Sequence, residues 1–479
     1  MAETRYEARS GGRLTRWSGA LGGGSARSGG ADGDNGRGGG NGGWTGGGEP
    51  RTVFSNVRIL DATGEAPYSG EVTVVGNRIA AIQRGGGGYG LNGSSGGGEV
   101  RRIDGRGMTL MPGLIDAHLH LSWNNAPGIN PIQMMPVEEH MLNCVYMAKL
   151  LLDSGFTAGY GAAAAKERLD VVIRDAIRSG KVPGPRYTAS GPELTALGGL
   201  GDASLPHIPH EGLNLGIVVS GAEEMRRAVR RLMKWGVDTI KLNLSGEEIT
   251  GMRAEENQFT DEEIRVAVEE AKGRGRRLAA HARSNESIRR CVKFGIDIIY
   301  HASFCDEETL DLLEANKEKH FVAPGLAWLL NTARNAGPYG VTPGGPMSLA
   351  YERELEHAVD TMQRMHKRGI RVLIGGDYGF AWTPHGTNAK DLEYFVDLVG
   401  MSPMEAIQAG TKLGGQIMGM GHELGMIKEG YLADMLLVDG DPIADVRCLQ
   451  DRRNLVAIMQ DGKLYKDPAH QPAGARAYA

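Results

Sequence analysis

Hydrophobic and polar positions change their period twice along this 479-residue chain. Over residues 52–60, 71–75 and 78–82 the apolar side chains come in short runs rich in β-branched residues, with Gly76-Asn77 between the last two as a tight-turn signal. These runs are predicted strands. From about Met111 the pattern alternates: amphipathic stretches 222–235, 261–272, 285–294 and 349–368 read as helices. Each is followed by a short apolar run, 237–244, 277–281, 297–301 and 371–377, that reads as a strand. After about Leu424 strand patterns return in 430–438 and 456–465. Strand–helix repetition implies a parallel sheet, either a (β/α)8 barrel or an open doubly wound sheet. The economical architecture is an α/β chain in which a (β/α)8 TIM barrel over residues 111–419 is inserted into a small β-sandwich-like domain built from 51–110 and 420–467.

Composition changes this picture at the edges. Glycine, with 73 residues, is concentrated in a Gly/Ser/Arg/Asp/Asn tract over 11–48, so residues 1–50 are expected to form a disordered tail. Arg5, Arg9, Arg13 and Arg16 suggest a transit peptide, but Glu3 and Glu7 lie among them and no apolar face forms. A second glycine-rich patch, 85–98, reads as a flexible hairpin loop. The formal net charge of −5 comes without a basic stripe, which argues against a nucleic-acid or membrane-surface partner. No run of about 18 apolar residues marks a membrane span. Cys144, Cys291, Cys305 and Cys448 are scattered without metal or disulfide spacing, and this fits a reduced, cytoplasmic setting.

The chemistry begins where the apolar run Leu110-Met-Pro-Gly-Leu-Ile-Asp-Ala-His-Leu-His-Leu121 ends. On a strand, residues i and i+2 share a face, so His118 and His120 present two imidazoles to one point. Alone, such a pair is a polar strand end. Further along, Lys241, His281, His301 and Asp377 each close a different predicted strand. In a (β/α)8 barrel the site forms at the carboxyl ends of the strands, from side chains supplied by several of them. The ordered set therefore predicts a metal site. Lys241 fits such a site only as a neutral amine that adds carbon dioxide to become a carbamate; by itself it reads as a solvent-exposed lysine.

These residues carry a resemblance. The Pro112-Gly-Leu-Ile-Asp-Ala-His-Leu-His120 start, the strand-end Lys241, the single His281 and His301, and the Gly375-Gly-Asp377 ending resemble the amidohydrolase superfamily of metal-dependent hydrolases. So do Leu424-Gly-Met-Ile-Lys-Glu-Gly-Tyr-Leu-Ala-Asp-Met-Leu-Leu-Val438, Asp439-Gly-Asp-Pro442 and Val456-Ala-Ile-Met-Gln-Asp-Gly-Lys463. The similarity runs from about Thr52 to Lys466. It is nearest to the imidazolonepropionase-like branch, with its lysine-carboxylated dipeptidases, ochratoxin amidases and herbicide amide or urea hydrolases. The resemblance implies that His118, His120 and Asp377 hold one divalent ion and His281 and His301 a second, with carboxylated Lys241 between them. Zinc is the expected metal, with cobalt, manganese or iron as alternatives. Asp377 is expected to act as the proton shuttle, with Lys241 the other catalytic residue. There are departures: Gly155-Phe-Thr-Ala-Gly-Tyr160 runs on without the Arg-Asp pair of many members, and Gly198-Gly-Leu200 replaces a Gly-Gly-His. Lys241-Leu-Asn-Leu-Ser-Gly-Glu-Glu248 also differs from the usual continuation of the lysine strand. These leave the ligand set intact and the substrate class open.

The loop Tyr378-Gly-Phe-Ala-Trp-Thr-Pro-His385 is aromatic for a chain with 6% aromatic residues. Tyr378, Phe380, Trp382 and His385 are expected either to wall a substrate pocket or to pack as a loop cover. Residues 328–347 form a candidate lid, and His207 and His210 touch substrate at most. The expected activity is hydrolysis of a C–N bond in an amide, carbamate, urea or dipeptide-like small molecule by a homo-oligomeric enzyme. The alternatives are a single-metal aminohydrolase (deaminase) and a catalytically silent structural relative; Lys241 favours the amide side over the first, and the complete ligand set argues against the second.

Overall fold

The computed structural model describes residues 49–85, 100–205, 207 and 214–470. The glycine tract 11–48, residues 86–98 of the expected hairpin loop, and His210 lie outside the described residues.

Strands from the two ends of the chain pair with one another. These are β1 (Arg51–Ile59), β2 (Tyr68–Val75), β3 (Arg78–Arg84), β4 (Val100–Asp104) and β5 (Thr109–Pro112). The sheet order runs from the C-terminal Lys463–Lys466 through Leu455–Gln460 and Met435–Val438 to β5, β1, β2 and β3, with β4 also on β1. β2 and β3 form the hairpin read from Gly76-Asn77: Val75 pairs with Arg78, and Gly76 takes a φ of 59° that an L side chain rarely adopts. All these strands share one sheet with its own apolar core, including Phe54, Ile59, Val72, Ile79, Leu437 and Met459. A single sheet, rather than two facing ones, carries the layer expected as sandwich-like.

Between them the chain alternates parallel strands and helices. β6 (Leu114–Leu119), β7 (Phe156–Gly161) and β8 (Arg186–Thr188) form one parallel sheet. β9 (Leu194–Ala196), β10 (Ile217–Val219), β11 (Thr239–Asn243), β12 (Arg277–Ala282), β13 (Ile298–His301) and β14 (Phe321–Ala323) form another, in the order β10-β9-β11-β12-β13-β14. Backbone hydrogen bonds join the two at both edges. Ala189, just past β8, accepts from Asp238 and Thr239, and Ile374 accepts from Ala117 of β6. Val372 in turn bridges Val322 of β14. The predicted strand 371–377 is thus present only as a segment with one bridge, at Val372, and its last residue, Asp377, enters the left-handed region.

The connecting helices Ala222–Trp235, Asp261–Lys272 and Asn285–Phe294 have the bounds their amphipathic periods predict. Thr260 and Glu263 form a reciprocal capping box, and Ser284 caps the next helix through the Ser287 N–H. The candidate lid is corrected by the structure. Its residues 328–335 belong to the buried helix Leu326–Asn335, with Trp328 lining the cavity, whereas the rest runs through the short turn Gly337–Tyr339 into the helix Pro346–Lys367. No described helix is long and apolar enough to cross a membrane.

Candidate metal centre

Every predicted ligand reaches the same end of the parallel strands. His118 lies in β6 with His120 one residue beyond it, Lys241 is central in β11, His281 is next to last in β12 and His301 ends β13. At His301, Ala302 and Asp377 the backbone enters the left-handed region, with φ of 73°, 53° and 62°. Such conformations cost about 1–3 kcal/mol each and persist only where surrounding structure holds them. They lie where the chain leaves the strands, and the His301 and Asp377 side chains line the site.

His118, His120 and Asp377 offer one ligand atom each, all within 4.8 Å of one another. Asp377 Oδ1 is 3.2 Å from His120 Nε2 and 3.7 Å from His118 Nε2. His120 Nδ1 donates to the Ala163 carbonyl over 3.1 Å, which turns Nε2 toward the carboxylate. Burial pushes the Asp377 carboxyl up, but His118, His120 and Lys241 outweigh it and hold it far below the usual carboxylate range. The carboxylate is therefore ionised.

His281 and His301 stand beside this group. Their rings are 4.4 Å apart, and the His301 ring is 5.1 Å from that of His118. The Gly246 carbonyl and Arg283 Nε both reach His281 Nε2, at 2.9 and 3.2 Å. The carbonyl needs a proton on that nitrogen and the guanidinium needs a lone pair, so one contact excludes the other. The shorter contact places the proton on Nε2 and leaves Nδ1 free to ligate. Both nitrogens of buried His301 lack a hydrogen-bond partner among the described residues. Burial holds His281 and His301 well below the ordinary imidazole value, which favours their neutral form; at His118 burial acts in the same direction against the pull of the Asp377 carboxylate. Neutral imidazoles with free lone pairs around an ionised carboxylate are a donor set that fits a divalent cation.

Lys241 is 2% exposed, with its Nζ 4.5 Å from the Tyr300 ring centroid. Burial lowers its pKa, against the pull of Glu193 and Asp377. Behind His281, fully buried Arg283 holds Glu247 and Glu354 through its two terminal nitrogens, and Glu247 also accepts from Tyr351 and Trp328. The network ties β12 to the wall of a cavity of about 60 Å3 above the imidazoles.

That wall differs from the sequence expectation. Phe380 lines it, but Tyr378, Trp382 and His385 do not. Tyr378 hydrogen-bonds Asp391, Trp382 donates to Thr332, and His385 Nε2 is 2.8 Å from the His120 carbonyl. These three support the loop from behind. His207 is exposed and is not among the lining residues. Sequence reading missed Glu193, Glu247, Tyr300 and Arg283. Arg283 lies two residues after His281, just past the end of β12, a spacing the sequence did contain.

The amidohydrolase family profile matches residues 109–465. The chain belongs to the amidohydrolase family. It is a hydrolase acting on C–N bonds, with His118, His120 and Asp377 as a candidate metal site. Ochratoxinase of Aspergillus niger is 27% identical over 394 residues, which cover 76% of this chain and 77% of the relative. The crystal structure of a Xaa-Pro dipeptidase with bound methionine in its active site superposes with a TM-score of 0.75 at 28% identity, over 87% of this chain and 100% of that one. Phenylurea hydrolase B shares the fold, with a TM-score of 0.66 at 20% identity over 90% and 100% of the two chains.

Proposed function

We propose that this amidohydrolase cleaves an amide-type C–N bond in a small molecule using two divalent ions, with zinc as the expected metal. His118, His120 and Asp377 would hold one ion and His281 and His301 the other, with carboxylated Lys241 shared between them. An ion held there supplies Lewis acidity and lowers the pKa of water from about 15.7 to about 7. Asp377 takes the proton of the attacking water and hands it to the departing nitrogen, as general base and then general acid. Burial lowers the Lys241 pKa, the direction that favours the neutral amine carboxylation needs. The observation that carries this reading is the meeting of His118, His120 and Asp377 within 4.8 Å in a member of this family.

The same reading takes the joined parallel sheets as one (β/α)8 barrel over 111–419, with 51–110 and 420–467 as the small β-domain and 1–50 as a tail. It takes the enzyme as a cytoplasmic homo-oligomer; the support is four free cysteines and the exposed apolar Met134, Val137, Leu142 and Tyr146. The test is metal analysis by mass spectrometry combined with turnover of N-acyl amino acids, aryl amides, ureas and carbamates. Wild type should carry two equivalents of metal and cleave at least one of these classes, with His118→Ala and His281→Ala each losing metal. Undiminished metal in both variants, or turnover confined to ring or exocyclic amine deamination, refutes it.

A further inference from the structure

His118, His120 and Asp377 are all tied to one short segment of chain. Residues 385–391 follow the aromatic loop and enter the short helix Lys390–Tyr394. Three of them, spaced three residues apart, each serve a different ligand. His385 Nε2 donates to the His120 carbonyl over 2.8 Å. Asn388 Nδ2 donates to Asp116 Oδ2 over 2.8 Å, and Asp116 Oδ1 accepts from the His118 N–H over 2.9 Å. Asp391 Oδ2 accepts from the Gly375 N–H over 2.8 Å, and its Oδ1 accepts from the Tyr378 hydroxyl over 3.1 Å. Asp391 therefore holds the chain on both sides of Asp377.

These bonds are buried, as are His385, Asn388 and Asp391 themselves. A Cβ at Gly376 would lie 2.5 Å from Asp391 Oδ1, and one at Gly375 2.8 Å from His118 Cβ. The Gly-Gly pair before Asp377 is thus pressed between His118 and Asp391. Asp377 itself has a φ of 62°, a conformation that persists only where its surroundings fix it. His281 and His301 are supported differently. The Gly246 carbonyl and Arg283 meet His281, His301 has no hydrogen-bond partner among the described residues, and residues 385–391 bond to neither. Hydrogen bonds behind a ligand fix its orientation and tune its affinity, and here they serve only one half of the donor set.

We infer that His385, Asn388 and Asp391 are positioning residues that preorganise the His118–His120–Asp377 half of the donor set, so that the ion held there depends on them and its neighbour does not. This rests on the two-ion reading above and adds the residues that set the affinity of one ion. Chelator titration of the metal-loaded protein, with metal content read by mass spectrometry, is the test. His385→Phe, Asn388→Ala and Asp391→Ala should each weaken one ion by at least about 10-fold and leave the other within about threefold. Asp391→Asn keeps an acceptor for the Gly375 N–H and should hold both ions within about threefold of wild type. Asn388→Ala should weaken binding further in the His281→Ala background but not in the His118→Ala background, which assigns its effect to the first ion. A general loss of packing would weaken both ions alike. That outcome, two unaffected ions, or Asp391→Asn as damaging as Asp391→Ala overturns the inference. If urea unfolding shows that Asp391→Ala does not fold, Asn388→Ala and its two double variants decide. If wild type carries a single ion, the two-ion reading fails, and the inference stands or falls on whether Asn388→Ala weakens that ion.

Discussion

The Tyr300 ring lies flat on His118, with centroids 3.8 Å apart and 17° between the planes. Lys241 Nζ sits 4.5 Å from the centroid of the same ring. The phenol oxygen is buried without a hydrogen-bond partner among the described residues. The ring, not the hydroxyl, is therefore what the site uses. Tyr300→Phe should retain metal and be as stable as wild type or more so, since it removes an unsatisfied buried group. Tyr300→Leu frees the imidazole to rotate and should weaken metal binding by about 10-fold or more. Chelator titration of both variants checks this.

Lys241→Ala should cost at least about 100-fold in turnover, beyond the range usual for groups that only support a ligand. Added propionate should restore part of it by supplying a carboxylate where the carbamate is lost. Near-wild-type turnover in Lys241→Ala would remove the shared carbamate from the mechanism.

Gly325 sits against the site with φ of +65°, and a Cβ placed there would lie 3.0 Å from His301 Nδ1 and 3.5 Å from Asp377 Cβ. Gly325→Ala should lose about 1–2 kcal/mol from the left-handed backbone alone. Contact with His301 should also lower metal retention. Urea unfolding with metal analysis separates the two effects; a loss of stability without loss of metal would show that His301 yields.

Away from the site, hydrogen bonds from Arg230 and Arg226, with Arg274 beside them, hold Glu270 down at about 2 against the modest penalty of burial. A carboxyl depressed in the folded state stabilises the fold above its ordinary pKa, and that contribution disappears as pH falls through the folded value. Wild type should thus lose stability between about pH 4.5 and pH 2 in part through Glu270. Glu270→Gln should be less stable than wild type at pH 7, with the gap closing toward pH 2. Urea midpoints across that range give the comparison.

The sequence by itself determined the alternation of helices and strands, the hairpin at Gly76, and the order of His118, His120, Lys241, His281, His301 and Asp377. Those features are local: apolar period, turn chemistry and i, i+2 spacing act within a few residues. Tertiary structure alone decided which aromatic side chains reach the cavity. Phe380 does, whereas Trp382 turns to Thr332 and Tyr378 to Asp391, because these partners come from distant segments that no local pattern reports. It also placed the first part of the supposed lid in a buried helix and brought Glu193 level with Lys241 beside the site. A carboxylate's role depends on which charges and how much water surround it, and for Glu193 only the packed sheet sets both.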